Sequence, residues 1–397
     1  TPVRASASWD RSVGLPRRSD IWFGGRARVA RAPKAEDGPE NDTGLPRPSE
    51  TSELFGHDDA EQVVLEAWTS GRMPHAWLIT GPSGIGKSTF AYRIAKFVLS
   101  GGEPSGVAGL FAAESAPVTS LAVDPENRAA RLVASNGHPD LRILRRTLND
   151  RGVLSSVIRI EDVRAFIDRV RMRPSLDGWR VAIVDEAEKM NRSSENALLK
   201  VLEEPPRNTL ILIVSNSLNA MLPTTRSRCR LLALSPLKDG VVRELLTRSE
   251  QVSDQGDIEI LVRLSEGSIG RALDLAVAGG AVLYREIGSL LARMPQLDVE
   301  DLHTLSGKLA RRPKEGEADS FITAASLILR WIDRSIRGAS GIESVEQGAG
   351  RPEWARRIGI EEAFRRRTGF ERLVRLESAL NLDRKQVAMN AFFGLAG

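Results

Sequence analysis

The chain has 397 residues, 41% of them apolar and 27% charged, and a formal net charge of +4. That length suits two or three domains rather than one core, and no uninterrupted apolar run approaches the roughly 20 residues needed to cross a bilayer. Mild basicity permits nucleic-acid contact without requiring it, while the single cysteine, Cys229, excludes an intramolecular disulfide and a cysteine-rich zinc site.

Residues 1–53, rich in Arg, Pro, Ser and Gly, cannot build a core and read as a disordered tail, with Trp9 and Ile21-Trp22-Phe23 as a candidate docking motif. The tail has arginines but no apolar h-region of a secretory signal. With one cysteine, the expected setting is cytoplasmic, and Thr1 reads as the start of a fragment or a processed chain. From Phe55 the pattern becomes globular. Ala60–Trp68 is predicted as a helix, Ala76–Thr80 as a strand and Thr89–Leu99 as a helix with Phe90, Ile94, Ala95 and Val98 on one side. After a Gly/Ala/Pro-rich stretch, Gly101–Pro117, come a helix at Pro125–Ala134, a strand at Leu141–Leu144 and a helix at Ile160–Val170. Arg180–Val184 and Leu210–Val214 are near-continuous apolar runs, as buried parallel strands require. The helix between them stops at Pro205-Pro206. This alternation assigns 54–235 to an α/β domain with a parallel sheet.

After Pro236 strand signals fade. Leu237–Arg248, Ile258–Leu264 and Ile269–Ala278 make a small helical lid over 236–279. Ala281–Met294, Val299–Leu309, Glu317–Ile336, Trp354–Thr368, Phe370–Leu380 and Asp383–Phe393 make an all-helical region over 280–397, with a loop at Gly338–Pro352. Within it Ile322, Ala325, Leu329 and Ile332, and later Val387, Ala391 and Phe392, are expected to form apolar helix faces.

The chemistry concentrates in Gly81-Pro82-Ser83-Gly84-Ile85-Gly86-Lys87-Ser88, which follows a strand and opens a helix. Gly81, Gly84 and Gly86 allow the tight turn that aims backbone N–H groups inward. Lys87 suits the β/γ-phosphates and Ser88 a Mg²⁺ ion, while Thr89 starts the helix whose N-terminus faces the anion. Asp185 ends the second apolar strand and can hold the hydrated Mg²⁺ opposite Ser88, which makes Ser88 and Asp185 the candidate metal pair. Glu186 is placed to orient or deprotonate a water, and Asn216 to set an amide beside the γ-phosphate or that water. Arg271, at the start of an apolar helix, can close the lid over the phosphates. Arg226, Arg228 and Arg230 alternate with small residues where the sheet domain ends, and an arginine there suits completion of a neighbouring subunit's site or a solvated charge cluster.

Five segments taken together resemble the clamp-loader branch of the AAA+ ATPases: Arg72-Met73-Pro74-His75-Ala76; Asp185-Glu186-Ala187-Glu188-Lys189-Met190; Asn196 through Pro206; Ser227-Arg228-Cys229; and Gly267-Ser268-Ile269-Gly270-Arg271. The resemblance covers about 54–278 strongly and the rest in arrangement only. It implies a P-loop NTPase domain followed by a lid and an oligomerising collar. Lys87 and Ser88 would be the Walker A pair, Asp185 and Glu186 the Walker B pair, Asn216 and Arg271 the two sensors, and Arg228 a finger acting in trans. It further implies ATP and Mg²⁺ as cofactors, and a DNA polymerase III clamp-loader ring of five subunits that includes delta and gamma/tau. That ring places a sliding clamp on primer-template DNA, with no membrane involved. Gamma/tau members carry a four-cysteine zinc module before the Walker B strand. Gly101–Leu144 here has no cysteine, so no zinc is expected. The intact phosphate loop favours nucleotide binding over independent turnover. The alternatives are a self-sufficient ATPase of gamma/tau type, another AAA+ motor acting on DNA junctions, and a non-hydrolysing stator; an ABC ATPase is disfavoured because no L-S-G-G-Q precedes Asp185.

Overall fold

The computed structural model describes residues 45–102, 118–148, 154–175, 178–313, 317–341 and 352–397. Most of the expected tail, both of its aromatic segments, and most of the 101–117 and 338–352 stretches lie outside the described residues. Residues 45–53, which composition assigned to the tail, pack on the domain that follows. Lys96 donates to the Thr51 carbonyl at 2.8 Å and Arg93 to that of Ser52 at 3.0 Å.

The first half is a five-stranded, all-parallel sheet in the order β2-β3-β4-β1-β5. Its strands are β1 (Ala76–Thr80), β2 (Leu141–Leu144), β3 (Arg180–Val184), β4 (Thr209–Ser215) and β5 (Arg230–Ala233). Parallel neighbours need crossover connections, and helices supply them. These are α2 (Lys87–Leu99) and α3 (Arg128–Ala134) after β1, α4 (Ile160–Arg171) after β2, α5 (Arg192–Glu203) after β3 and the short α6 (Pro223–Arg226) after β4, with α1 (Asp58–Thr69) preceding the sheet. The apolar runs work by alternation on two covered faces. Trp77, Ile79, Val181, Ile183, Leu210 and Leu212 pack with Val64, Phe90 and Ile94. Leu78, Ala182, Val184, Ile211 and Ile213 pack with Val163, Phe166 and Leu198.

Two local departures from the sequence reading have simple causes. Helix α3 starts at Arg128 rather than Pro125 because the Asn127 side chain caps it, accepting from Ala129 N at 2.8 Å. Strand β5 is too short for period-two patterning to reveal: Leu232 is buried and Leu231 exposed, and Arg230 lies over the Trp77 ring at 4.9 Å.

The second half is helical: α7 (Asp239–Arg248), α8 (Gln255–Ser265), α9 (Ile269–Val277), α10 (Gly280–Ala292), α11 (Val299–Leu309), α12 (Ser320–Ala339), α13 (Pro352–Ile358), α14 (Ile360–Leu380) and α15 (Arg384–Ala396). One continuous apolar core joins them, from Leu237 to Leu395. Gly369, expected to separate two helices, lies inside the unbroken α14 with open space beside it. A helix interior tolerates glycine at about 1 kcal/mol. The break falls instead at Gly359, with φ 86°. The buried face of α12 is centred on Ala324, Ile328, Trp331 and Ile332, and Ile322 is exposed. Val387, Ala391 and Phe392 are buried in the chain's own core. Helical periodicity marks an apolar face but does not distinguish self from partner.

Candidate nucleotide-binding site

The strand order decides which loops meet. Strand β4 lies between β1 and β3, pairing Thr80 with Ser215 and Val184 with Ile213. The segments leaving these three strands at their carboxyl ends are therefore neighbours: Gly81–Ser88, Asp185-Glu186 and Asn216. Gly81 (φ 151°) and Gly84 (φ 74°) adopt backbone that side chains rarely take, and a Cβ would stand 2.5 Å from the Leu234 carbonyl at the first and 2.5 Å from Ser268 Oγ at the second. Gly86, also at positive φ, precedes α2.

The loop brings Lys87 and Ser88 to the ends of these strands. Lys87 is buried, and its Nζ donates to the Pro82 carbonyl at 2.6 Å and to Asn216 Oδ1 at 2.7 Å. Ser88 Oγ donates to Asp185 Oδ1 at 2.9 Å, with Oδ2 at 3.1 Å. Thr89 follows in the first turn of α2. Burial lowers the Lys87 pKa, against the opposing pull of Glu188 and Asp185. Burial raises that of Asp185, which the hydrogen bond from Ser88 opposes. A half-buried carboxylate touching the Ser88 hydroxyl beside the glycine loop fits Mg²⁺: it offers one or two protein oxygens, and phosphate and water would supply the rest. One contact was not anticipated. His57 Nε2 donates to the Ile85 carbonyl at 2.8 Å, tying the start of α1 to the loop.

Glu186 and Asn216 are both in the site, but each is engaged by a residue that the sequence reading gave no role. Glu186, at φ 52°, receives Arg146 Nε and Nη2, each at 2.6 Å, so the arginine occupies one lone pair of each carboxylate oxygen and fixes the direction of the group. Arg146 lies two residues past β2, and only the β2–β3 pairing brings it there. Asn216 donates to Glu188, its backbone N at 3.1 Å and Nδ2 at 2.5 Å.

The start of α9 docks on the glycine loop itself. Ser268 Oγ donates to the Ser83 carbonyl at 2.8 Å, Gly270 N donates to the Gly84 carbonyl at 2.9 Å, and Ser268 caps α9 through Arg271 N. Arg271 thus starts beside Gly84. Its guanidinium has no hydrogen-bond partner among the described residues, and burial together with the nearby Arg334 charge lowers its pKa despite Glu266. Arg228 is not brought into this site. Its guanidinium contacts Thr224 and Glu203, each at 2.8 Å.

The family described as "DNA polymerase III, delta subunit" matches residues 56–238, the stretch that carries the sheet and the phosphate loop. The DNA polymerase III subunit delta' of Pseudomonas aeruginosa is 31% identical over 210 residues, covering 52% of this chain and 58% of that protein. Residues 56–238 are thus similar to DNA polymerase III subunits. The chain is 25% identical to DNA polymerase III subunit gamma of Buchnera aphidicola over 233 residues, 58% of each chain. Identity to the gamma/tau subunit of Mycobacterium tuberculosis is 28% over 242 residues, covering 59% of this chain and 38% of that protein. The chain thus spans little more than half the length of the first two relatives. A solved gamma subunit-related protein of Thermotoga maritima overlaps 83% of this chain and 97% of its own at 18% identity, with a TM-score of 0.39.

Proposed function

We propose that this chain is a delta-prime-type subunit of a DNA polymerase III clamp loader that binds ATP with Mg²⁺. The observation that carries the nucleotide reading is the convergence of Lys87 and Ser88 with Asp185 and Asn216 at the ends of three adjacent strands. In this reading the loop N–H groups, Lys87 and Arg271 bind the phosphates, and Ser88 and Asp185 hold the metal. Bound Mg²⁺ would neutralise phosphate charge there. Glu186 and Asn216 act on water and on the terminal phosphate. The chain's relatives include delta' and gamma/tau subunits, and its 31% identity to the former against 25–28% to the latter favours the delta-prime assignment. Delta and gamma/tau subunits are then its ring partners, with the sliding clamp and primer-template DNA engaged through the complex in the cytoplasm. Arg228, directed away from its own site, serves a neighbour's. Residues 280–397 form the collar, and the exposed Ile322, Ile360, Phe364, Leu380 and Phe393 are apolar surface for it.

Calorimetry with Mg²⁺–ATP on the parent and on Lys87→Ala tests the nucleotide reading, with binding expected in the parent and loss in the variant. Equal affinity, or none in either, refutes it. Light scattering of the chain mixed with delta and gamma/tau tests the ring: a stoichiometric complex is expected, and its absence refutes the assignment. The complete phosphate loop also favours a second reading, a self-sufficient gamma/tau-like ATPase, which rapid turnover by the purified chain alone would establish.

A further inference from the structure

Glu188 lies in the short turn Ala187–Lys189 past Asp185, and its carboxylate grips Asn216 twice, accepting from the backbone N at 3.1 Å and from Nδ2 at 2.5 Å. On its other edge Asn216 Oδ1 accepts from Lys87 Nζ at 2.7 Å. A carboxylate only accepts and an ammonium only donates, so the amide between them has one permitted orientation. Turning it over would set Nδ2 against the ammonium and Oδ1 against the carboxylate. A primary amide carries two N–H donors. Glu188 takes one, and no other acceptor among the described residues takes the second. Asn216 is solvent-exposed, so that donor is open to an incoming group beside Lys87.

We infer that Glu188 is a positioning residue. It fixes the Asn216 amide so that one N–H is reserved for the terminal phosphate of a nucleoside triphosphate, and it thereby sets the preference for triphosphate over diphosphate. The inference rests on the nucleotide reading proposed above, and it assigns Glu188 no direct contact with the nucleotide. A purely structural role for Glu188 would alter both affinities alike, because a diphosphate needs the loop just as much.

Calorimetry with Mg²⁺–ADP and Mg²⁺–AMP-PNP on the parent, Glu188→Ala, Glu188→Gln, Asn216→Ala and the double alanine variant separates these accounts. Glu188→Ala should weaken AMP-PNP about five-fold relative to ADP, a size suited to an exposed charge-assisted hydrogen bond. Glu188→Gln, which keeps one acceptor, should fall between. Added to Asn216→Ala, the Glu188→Ala change should cost nothing further, since its effect runs through that amide. In ¹⁵N spectra the two Asn216 side-chain protons, split by the carboxylate in the parent, should draw together in Glu188→Ala. An unchanged AMP-PNP to ADP ratio, equal weakening of both nucleotides, or an undiminished Glu188→Ala effect without Asn216 would overturn the inference alone. A parent that binds neither nucleotide would overturn the nucleotide reading with it.

Discussion

Arg146 holds both carboxylate oxygens of Glu186 in a two-pronged ion pair, Nε and Nη2 each at 2.6 Å. The pair is partly exposed, at 22% and 34% for the two side chains, which limits what it adds to stability to about 1 kcal/mol or less. Its consequence lies in orientation: the arginine takes one lone pair of each oxygen and holds the carboxylate in one direction, which restrains its approach to a water until the arginine lets go. In the reconstituted complex, Arg146→Ala should raise basal ATP turnover several-fold while barely moving the melting temperature, and Glu186→Gln should abolish turnover in either background. Phosphate release assayed without DNA reads the first effect. A fall in turnover with Arg146→Ala would mean that the arginine assists the site instead of restraining it.

Gly84 is where the lid and the phosphate loop touch, and its φ of 74° already disfavours a side chain. An added methyl would also meet Ser268 Oγ at 2.5 Å and Gly270 Cα at 3.1 Å, and the second of these is backbone that cannot swing aside. Gly84→Ala should therefore cost about 1–3 kcal/mol in denaturant unfolding and should loosen nucleotide binding by displacing α9. Gly369→Ala is the control, because that glycine is helical with open space around it. It should stabilise slightly. Equal effects from the two substitutions would show that the docked lid does not constrain the loop.

What could be read in the sequence was local. The phosphate loop and the Asp185-Glu186 pair announce themselves because strand, turn and helix follow one another within a few residues, and burial on both sheet faces leaves apolar runs that are hard to misread. Arg146 and Glu188 were not legible as partners of Glu186 and Asn216. They reach those residues through strand register and side-chain rotamer, which no spacing rule encodes. Strand β5 was missed because four residues carry too little periodicity. The true break at Gly359 and the false one at Gly369 look alike in composition. They differ in backbone conformation, which the packing of α14 against α12 and α15 imposes.

His138 offers a pH test at the opposite end of the sheet from the nucleotide site. It is buried, and its Nδ1 accepts from Asp140 N at 3.1 Å, which requires that nitrogen to be unprotonated. Burial pushes its pKa below the usual 6.5; Asp140 opposes the shift and Arg142 adds to it. A depressed folded pKa means that the stability held by neutral His138 is complete above about 6.5 and is lost as pH falls from there through the folded value. His138→Asn, which keeps an acceptor but does not titrate, should therefore show a flatter denaturant midpoint between about pH 7.5 and 5.5 than the parent does. Parallel slopes for the two proteins would remove His138 as the cause.

The last prediction concerns charge buried among the C-terminal helices. Arg384 Nε meets Glu377 Oε1 at 2.9 Å, and its two terminal nitrogens meet Asp319 at 3.0 and 2.7 Å, joining α15, α14 and the N-cap of α12. Glu377 is 1% exposed and Arg384 8%, so removing the arginine leaves the glutamate with the longer contacts from Arg312, at 3.3 Å, and the Ser378 hydroxyl, at 3.4 Å. Stranding one member of a buried pair is costly, whereas replacing both with apolar groups of similar volume is often close to neutral. Arg384→Met should cost about 3–4 kcal/mol in urea unfolding. Glu377→Leu added to it should recover most of that loss, with the slope of the transition unchanged in both. If the double variant is as unstable as the single one, the triad holds the helices by its own geometry rather than through the penalty of an unpaired carboxylate.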